Sequence, residues 1–337
     1  MTKPRIFLTH GPQALPNYYG PRALAALQSL GEVAHNPSDA DLTARQLADL
    51  AQGCDFIVSF RVHPGHADLF NALPDLKAFC RCAIDIRNVD VPVASTLGIL
   101  VTHASAGFLT SVSEWIIGAM IDLSRGTTTA TLAYRNGQIW NAHMGRELRG
   151  STLGLIGFGQ IARTLAPMAR ALGMTLLIHD PHANFSAADG QSLSLEDLLA
   201  QSDYVVPLAV ATEATENLMN AATFAAMKPG AFFINASRGN LVDEAALLAA
   251  LDSGHLAGCA LDVGRALDQQ PTLALARHPL VVATPHVAGL TRPATEHQAM
   301  DTVRQVGELL QGKLPAGCVN PQADARLRAW LNKLRLT

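Results

Sequence analysis

The sequence has little charge, few cysteines and no long apolar run. Charged residues make up 16% of its 337 positions, and 25 Lys plus Arg against 28 Asp plus Glu leave a formal charge of -3. So even a balance offers no field to draw in nucleic acid or an anionic membrane surface. The five cysteines, Cys54, Cys80, Cys82, Cys259 and Cys318, lack any paired metal-binding spacing. They read as small apolar fillers in a reducing compartment. The opening Met-Thr-Lys-Pro-Arg-Ile-Phe-Leu-Thr-His has too short an apolar run for a signal peptide, and polar residues break up the later runs. No membrane span is expected, and the expected location is the cytoplasm. The sequence also lacks a fixed-period repeat, a low-complexity tract and a long linker. What it has is 49% apolar residues, which excludes a disordered chain, a coiled coil and a disulfide-stapled miniprotein. At roughly 150 residues per domain, the length points to two domains.

Short β-rich runs alternate with helical patterns throughout. Strands are expected at Arg5–Thr9, Phe56–Phe60, Lys77–Arg81 and Ile99–Thr102, with helices at Pro21–Leu30 and Leu42–Leu50 between them. A second series reads Leu153–Ile156, Met174–His179, Asp203–Val210, Ala231–Asn235, Gly258–Val263 and Leu280–Thr284. Such alternation implies parallel sheets covered on both faces by helices. Between the two series, Ser111-Val-Ser-Glu114 has the form of a capping box that would open a helix. Val112, Trp115, Ile116, Ala119, Met120 and Leu123 follow at helical spacing, and Ile117 and Ile121 extend the apolar surface. That helix is expected to lie buried between layers or between subunits. Gly173 and Gly254 fall where helix C-caps belong.

The clearest chemistry follows Leu153–Ile156. Gly157-Phe-Gly159-Gln-Ile-Ala162 opens a helix running to Leu172. The first glycine permits a tight turn, the second lets a pyrophosphate approach the backbone, and Ala162 is the small residue for close helix packing. The helix N-terminus, at Gln160 and Ile161, offers amides and the positive end of a dipole to phosphates. About 20 residues further on, Asp180 ends the next strand, where a carboxylate accepts both ribose hydroxyls and repels a 2′-phosphate. Taken alone, Asp180 before Pro181 is a turn residue. In this order the elements predict an NAD site.

With those residues in view, the chain resembles the NAD-dependent D-2-hydroxyacid dehydrogenases over nearly its whole length. The resemblance rests on Leu148 through Ala162, on Met227-Lys-Pro-Gly-Ala-Phe-Phe-Ile-Asn-Ala-Ser-Arg-Gly-Asn-Leu-Val-Asp-Glu244, on Ala257-Gly-Cys-Ala-Leu-Asp-Val263 and on Ala283-Thr-Pro-His-Val-Ala-Gly289. It implies an α/β fold of two doubly wound parallel-sheet domains with the active site in the cleft between them. A flavodoxin-like substrate domain would take residues 1–103 and 290–337, with a C-terminal helix near Thr291–Gly312. A Rossmann NAD-binding domain would take 104–289. Arg238 matches the arginine that binds the substrate carboxylate and carbonyl, and His286 the acid/base that exchanges the hydroxyl proton. Asp262 matches the residue that holds the nicotinamide carboxamide, with Ala236 and Ser237 lining the cofactor. The implied partner is a small carboxylic acid, and family members are usually homodimers through their cofactor domains. The residue types suit the chemistry: a guanidinium grips a planar carboxylate and stabilises a developing alkoxide, and a histidine titrates near neutrality.

Three stretches depart from the family pattern. The family's glutamate that orients the histidine falls on Leu267, which cannot serve. Asp268 reaches His286 through a shifted loop, or Gln270, before Pro271, takes the place, or neither replaces it. A carboxylate there would favour a protonated imidazole. An amide would orient the ring without that charge, as in formate dehydrogenases of the wider family. In the substrate-binding loop Cys82–Asp90, where Ile84 and Asp85 would contact the carboxylate, Asp85 replaces a glycine and Arg87 an aspartate. Asp85 either repels a second acidic group on the substrate or forms a solvent-facing pair with Arg87, which contributes little. Leu208 and Val210 stand where a histidine and a proline are common, while Thr212 and Thr215 keep hydroxyl positions. The leading expectation is NAD-dependent interconversion of a 2-oxo acid and a D-2-hydroxy acid. A formate-dehydrogenase-like oxidation and a non-catalytic NAD-sensing protein are the alternatives.

Overall fold

The computed structural model describes residues 3–336 except Asp41 and His143; the outermost positions of the expected domains, Met1, Thr2 and Thr337, lie outside it. The chain forms two compact units, Met1–Phe108 with Thr291–Thr337, and Leu109–Leu290.

The first unit is a five-stranded parallel sheet of β1 (Arg5–Leu8), β2 (Glu32–His35), β3 (Phe56–Ser59), β4 (Ala78–Arg81) and β5 (Leu100–His103), in the order β2-β1-β3-β4-β5. β3 and β4 are buried along their whole length, as strands covered on both faces must be. Alternate residues feed two cores. Ile6, Leu8, Phe56, Val58, Ala78 and Cys80 pack with Ala23 and Leu27 of the helix Pro21–Leu30 and with Val303 and Val306 of the helix Arg292–Leu310. Phe7, Ile57, Phe79 and Val101 point the other way, onto Leu47, Leu69 and Phe70. The helix Arg292–Leu310 is fixed by a polar bond too: Thr102 Oγ1 donates to Gln305 Oε1 at 2.6 Å, and both residues are wholly buried.

The second unit has seven parallel strands: β6 (Thr152–Ile156), β7 (Thr175–His179), β8 (Gln191–Ser192), β9 (Tyr204–Pro207), β10 (Ala231–Asn235), β11 (Leu256–Leu261) and β12 (Val281–Ala283). Their order, β12-β11-β10-β9-β6-β7-β8, reverses direction between β6 and β9, and ligands of such sheets bind at that point. Both sheets fit the expected Rossmann and flavodoxin-like arrangement.

Three expectations are corrected. The helix before the second sheet spans Leu109–Arg125, so Ser111 and Glu114 lie inside its first turns. Ser111 is buried, and the Ser113 hydroxyl bonds back to the Leu109 carbonyl at 2.8 Å; the capping box is not formed. The strand expected over Asp203–Val210 stops at Pro207, after which the chain turns across the sheet edge. β2 and β8, absent from the sequence reading, are short edge strands with exposed faces. Among the described residues no helix is long and apolar enough to cross a membrane.

Candidate active site

Gly157 closes the turn after β6 at φ +95°, a conformation open to glycine. A Cβ there would lie 2.6 Å from the Ala209 nitrogen in the loop after β9. Gly159 is the N-cap of the helix Gln160–Ala171 and has no side chain to cap it. A Cβ on Gly159 would meet no atom within 4 Å, so the space beside it is open. The first-turn amides of Gln160, Ile161 and Ala162 have no acceptor within the helix. Buried Ala162 lets the helix press on the sheet. A cradle of free amides beside a side-chain-free position fits a pyrophosphate, so these residues suit a dinucleotide.

Asp180, at the end of β7, braces the same turn. Its Oδ2 accepts the Phe158 N–H at 2.7 Å, and its Oδ1 accepts those of His182 at 2.8 Å and Ala183 at 2.9 Å. Burial works to raise its pKa, but these three backbone donors and nearby His182 hold it below the usual carboxylate value. The turn role read for Asp180 is thus present in the structure. Of about four lone-pair sites on a carboxylate, these donors take three, and one is left for the ribose contact expected from sequence.

Asp262 follows β11 and is 1% exposed. Its Oδ1 accepts the Thr284 hydroxyl at 2.6 Å and the Val287 N–H at 2.8 Å, and its Oδ2 accepts the Ala288 N–H at 2.8 Å. Its carbonyl accepts the His286 N–H at 2.9 Å. The residue is thus the anchor of the loop that carries His286. These three bonds leave about one of the carboxylate's four acceptor sites for the nicotinamide carboxamide expected from the resemblance.

His286 itself has φ +57°. Its Nδ1 lies 2.8 Å from the Asp268 main-chain oxygen. A carbonyl only accepts, so Nδ1 carries the hydrogen and Nε2 is left to exchange a proton. The contact that Asp268 makes here is through its main-chain oxygen rather than the carboxylate weighed from sequence. Asp268 and Gln269 are both left-handed, at φ +54° and +56°. Gly264 N–H bonds the Gln269 carbonyl at 2.8 Å, and Ala266 N–H the Gln270 carbonyl at 3.0 Å. This small ring, which Gln270 enters by its main chain, presents the Asp268 carbonyl.

Arg238 follows β10. Buried Asn235 clamps the segment: its Oδ1 accepts the Ser237 N–H at 3.0 Å and its Nδ2 donates to the Arg238 carbonyl at 2.9 Å. Arg238 Nη1 donates to the Ser237 carbonyl at 2.7 Å. Ala236 is buried, and the Ser237 hydroxyl points to the Ala209 carbonyl at 3.4 Å. A Cβ on Gly239 would fall 2.0 Å from the Gly264 carbonyl, so the arginine loop and the start of the ring pack backbone to backbone. All these positions lie at the carboxyl edge of one sheet.

In the first unit, Ile84 and Asp85 lie in the loop after β4. Arg87 grips the Asp85 carboxylate from Nε, at 3.0 Å to both oxygens, and from Nη2 at 2.5 Å. In this pair the Arg87 side chain is exposed and that of Asp85 is partly covered. The backbone N–H groups of Ala83 and Ile84 donate to nothing among the described residues. Sequence reasoning missed Arg81, whose signal is a charge ending an apolar strand. Its guanidinium donates to the carbonyls of Phe60 at 3.0 Å, His63 at 2.7 Å and Asp85 at 3.3 Å, and to that of Arg61. Burial lowers its pKa to about 10.

Comparison with known proteins agrees with this geometry. The NAD binding domain of D-isomer specific 2-hydroxyacid dehydrogenases matches residues 117–288. The chain is 35% identical over 260 residues to the D-3-phosphoglycerate dehydrogenase of Bacillus subtilis, covering 75% of this chain and 49% of that one. It is 38% identical over 255 residues to the (S)-sulfolactate dehydrogenase of Chromohalobacter salexigens, covering 72% and 80%. It thus spans about half the length of the phosphoglycerate dehydrogenases it matches. Among solved structures, the apo D-lactate dehydrogenase of Escherichia coli superposes with TM-score 0.82 at 25% identity over 94% of this chain and 99% of that one. The TT0316 protein of Thermus thermophilus does so with TM-score 0.82 at 28%, over the same shares. From the glycine turn to the histidine loop, sequence and geometry agree, and the chain belongs to the D-isomer specific 2-hydroxyacid dehydrogenase family, with that family's NAD-binding domain.

Proposed function

We propose that the protein interconverts a small 2-oxo acid and its D-2-hydroxy acid with NAD(H). The observation that carries the reading is His286, whose loop is pinned by Asp262 and whose Nδ1 is satisfied by the Asp268 carbonyl, so that Nε2 is the nitrogen left to act as a proton donor or acceptor. Bound NADH supplies the hydride that adds to C2 of the acid. His286 Nε2 then gives its proton to the C2 oxygen, and in oxidation takes it back. Arg238 grips the carboxylate and stabilises charge on that oxygen; in the first unit, the open amides of Ala83 and Ile84 suit a carboxylate. Asp85 shapes that loop through its pair with Arg87.

The test is NADH consumption across glyoxylate, hydroxypyruvate, pyruvate and bulkier 2-oxo acids, with His286→Asn and Arg238→Ala alongside. Turnover that falls at least about a hundredfold in each variant supports the roles; unchanged turnover in Arg238→Ala refutes them. One feature favours a second reading: the acceptor on His286 Nδ1 is a carbonyl, which orients the ring without bringing a charge. Formate-dependent NADH production would support that formate-dehydrogenase-like reading. Tight NADH binding with no turnover on any acid would make the protein an NAD-responsive sensor.

We also propose a homodimer joined through the second unit. Leu132, Tyr134, Ile139 and Met144 are 51%, 66%, 88% and 97% exposed within one segment, more apolar side chain than a lone surface carries without a partner. Light scattering on the purified protein, repeated with Tyr134→Glu/Ile139→Glu, tests it: a mass of one chain in both refutes the dimer. The five free cysteines, four of them buried, suit a reducing cytoplasm.

A further inference from the structure

The five-stranded sheet has its own reversal point. The chain leaves β1 for β2 on one side and returns to β3 on the other, so the crevice outside the carboxyl ends of β1 and β3 is where a ligand of this sheet binds. There the loop Thr9-His10-Gly11 meets the loop Phe60–His63. Thr9 Oγ1 accepts the Phe60 N–H at 2.8 Å and lies 3.0 Å from His63 Nδ1. Arg81, by holding the carbonyls of Phe60 and His63 together with that of Asp85, ties this crevice to the loop that carries Ile84.

His10 sits in the crevice and is 1% exposed, and neither of its ring nitrogens has a partner among the described residues. Its ring packs on Tyr19 at 5.0 Å and Phe60 at 4.8 Å, and Tyr18 packs in turn on Phe60 at 5.0 Å. Burial, with a contribution from His63, lowers its pKa to about 3, so the ring is neutral wherever the protein is folded and active. A neutral imidazole offers one N–H and one lone pair. Leaving both unmet in an aromatic cage lowers stability, and a phenylalanine would fill the place without that loss. The segment over the ring is also unusual. Leu15–Tyr19 is a π-turn closed by the Gly20 N–H on the Leu15 carbonyl at 2.8 Å, and Gly20 has φ +84° and ψ 161°. Isolated π-turns gather at functional sites.

We propose, building on the dehydrogenase reading above, that His10 determines substrate specificity by hydrogen-bonding an uncharged hydroxyl on the carbon chain of the acid, once partly buried Phe60 turns aside. β1 stands two strand spacings, about 10 Å, from β4. A carboxylate held at Ile84 and a hydroxyl a few carbons along the chain span that gap. The ring brings no positive charge to a phosphate or sulfonate, and a bare hydrocarbon chain satisfies neither nitrogen. The substrate class is therefore a hydroxylated 2-oxo acid, set apart from the doubly anionic acids named in the relatives.

The experiment compares kcat/KM for two matched pairs, hydroxypyruvate with pyruvate and 4-hydroxy-2-oxobutyrate with 2-oxobutyrate, and for 3-phosphohydroxypyruvate. It uses the wild type, His10→Phe and His10→Gln. The wild type should favour the hydroxylated member of at least one pair by about tenfold to a hundredfold. That ratio should collapse toward one in His10→Phe and be largely kept in His10→Gln, which retains a donor and an acceptor; His10→Phe should also melt no lower than the wild type. A ratio unchanged in His10→Phe, or a wild type that prefers the phosphorylated acid, overturns the inference while leaving the dehydrogenase reading intact. If His10→Phe fails to fold, the wild-type ratios and His10→Gln decide, and a Gln variant that has lost the ratio counts against it. A wild type inactive on every acid overturns the dehydrogenase reading itself, and this inference with it.

Discussion

Replacing Asp262 with asparagine separates two roles for the same side chain. In the structure the carboxylate receives three hydrogen bonds from Thr284, Val287 and Ala288 at 2.6 to 2.8 Å while 1% exposed. Asparagine keeps one acceptor oxygen, which can still serve Thr284 and Val287. Both bonds drop from charge-assisted to neutral strength, a loss of about 1 kcal/mol each. The amide NH2 then faces the Ala288 N–H, donor against donor, and leaves a buried group unmet at about 1–3 kcal/mol. The sum is about 3–5 kcal/mol, concentrated on the loop that aims His286. A shift of about 1 Å at a reacting group is enough for a hundredfold loss of rate. Asp262→Asn should therefore lower the melting temperature and cut kcat at least about a hundredfold, while the NADH Kd, read by fluorescence, moves less than about threefold. Weakening of NADH binding by more than about tenfold with an unchanged melting temperature would refute the anchoring role and return Asp262 to the nicotinamide.

Other substitutions follow from the same geometry. Gly157→Ala should destabilise the fold by about 2–4 kcal/mol and abolish NADH binding, since its Cβ would strike Ala209 at 2.6 Å from a positive φ. Gly159→Ala should fold normally, with φ -79° and open space around the new methyl, yet bind NADH at least about tenfold more weakly because that space is the pyrophosphate's approach; binding as tight as the wild type's would count against this assignment. Asp268→Val should cost about 1–2 kcal/mol, as a β-branched residue forced to φ +54°, and lower kcat more than it raises KM, because the carbonyl that orients His286 moves. The bonds to the Asp180 carboxylate predict a pH dependence of stability. A carboxyl held below its ordinary value of 3.8 stabilises the fold at every pH above that value, and the effect fades as pH falls toward the lower folded value. The stability difference between wild type and Asp180→Asn should stay flat from pH 8 to about 5 and shrink below about 4; a difference growing toward acid would refute it.

The parallel sheets were legible because buried strands leave continuous apolar runs. Phe56–Ser59, Ala78–Arg81 and Ala231–Asn235 appear within a residue of their expected bounds. The edge strands were not, because one exposed side removes the apolar signal: Glu32–His35 has polar ends and no buried residue, and Gln191–Ser192 is too short to carry a pattern. The capping box failed for a related reason. Ser and Glu three apart satisfy the local rule anywhere on a helix, and apolar Leu109 ahead of them let the helix begin earlier.

At the site, what the sequence carried was residue type at a strand end for Gly157, Gly159 and Asp180, while Arg238 and His286 were named through the family resemblance. What it could not carry was direction. Asp180 and Asp262 are carboxylates at the ends of β7 and β11, and the same letters serve a ribose or nicotinamide contact and a backbone clamp; the distances to Phe158 and Ala288 reveal the clamp. The histidine's partner was hidden more deeply, because a main-chain carbonyl has no letter at all. A search for the displaced glutamate weighs the side chains of Asp268 and Gln270, whereas two successive left-handed residues turn a peptide oxygen into the acceptor. Side-chain identity near that oxygen is then free to drift so long as the loop keeps its positive φ values, which makes backbone-permissive residues such as Gly, Asn and Asp the ones to expect at 268 in any variant that retains the chemistry.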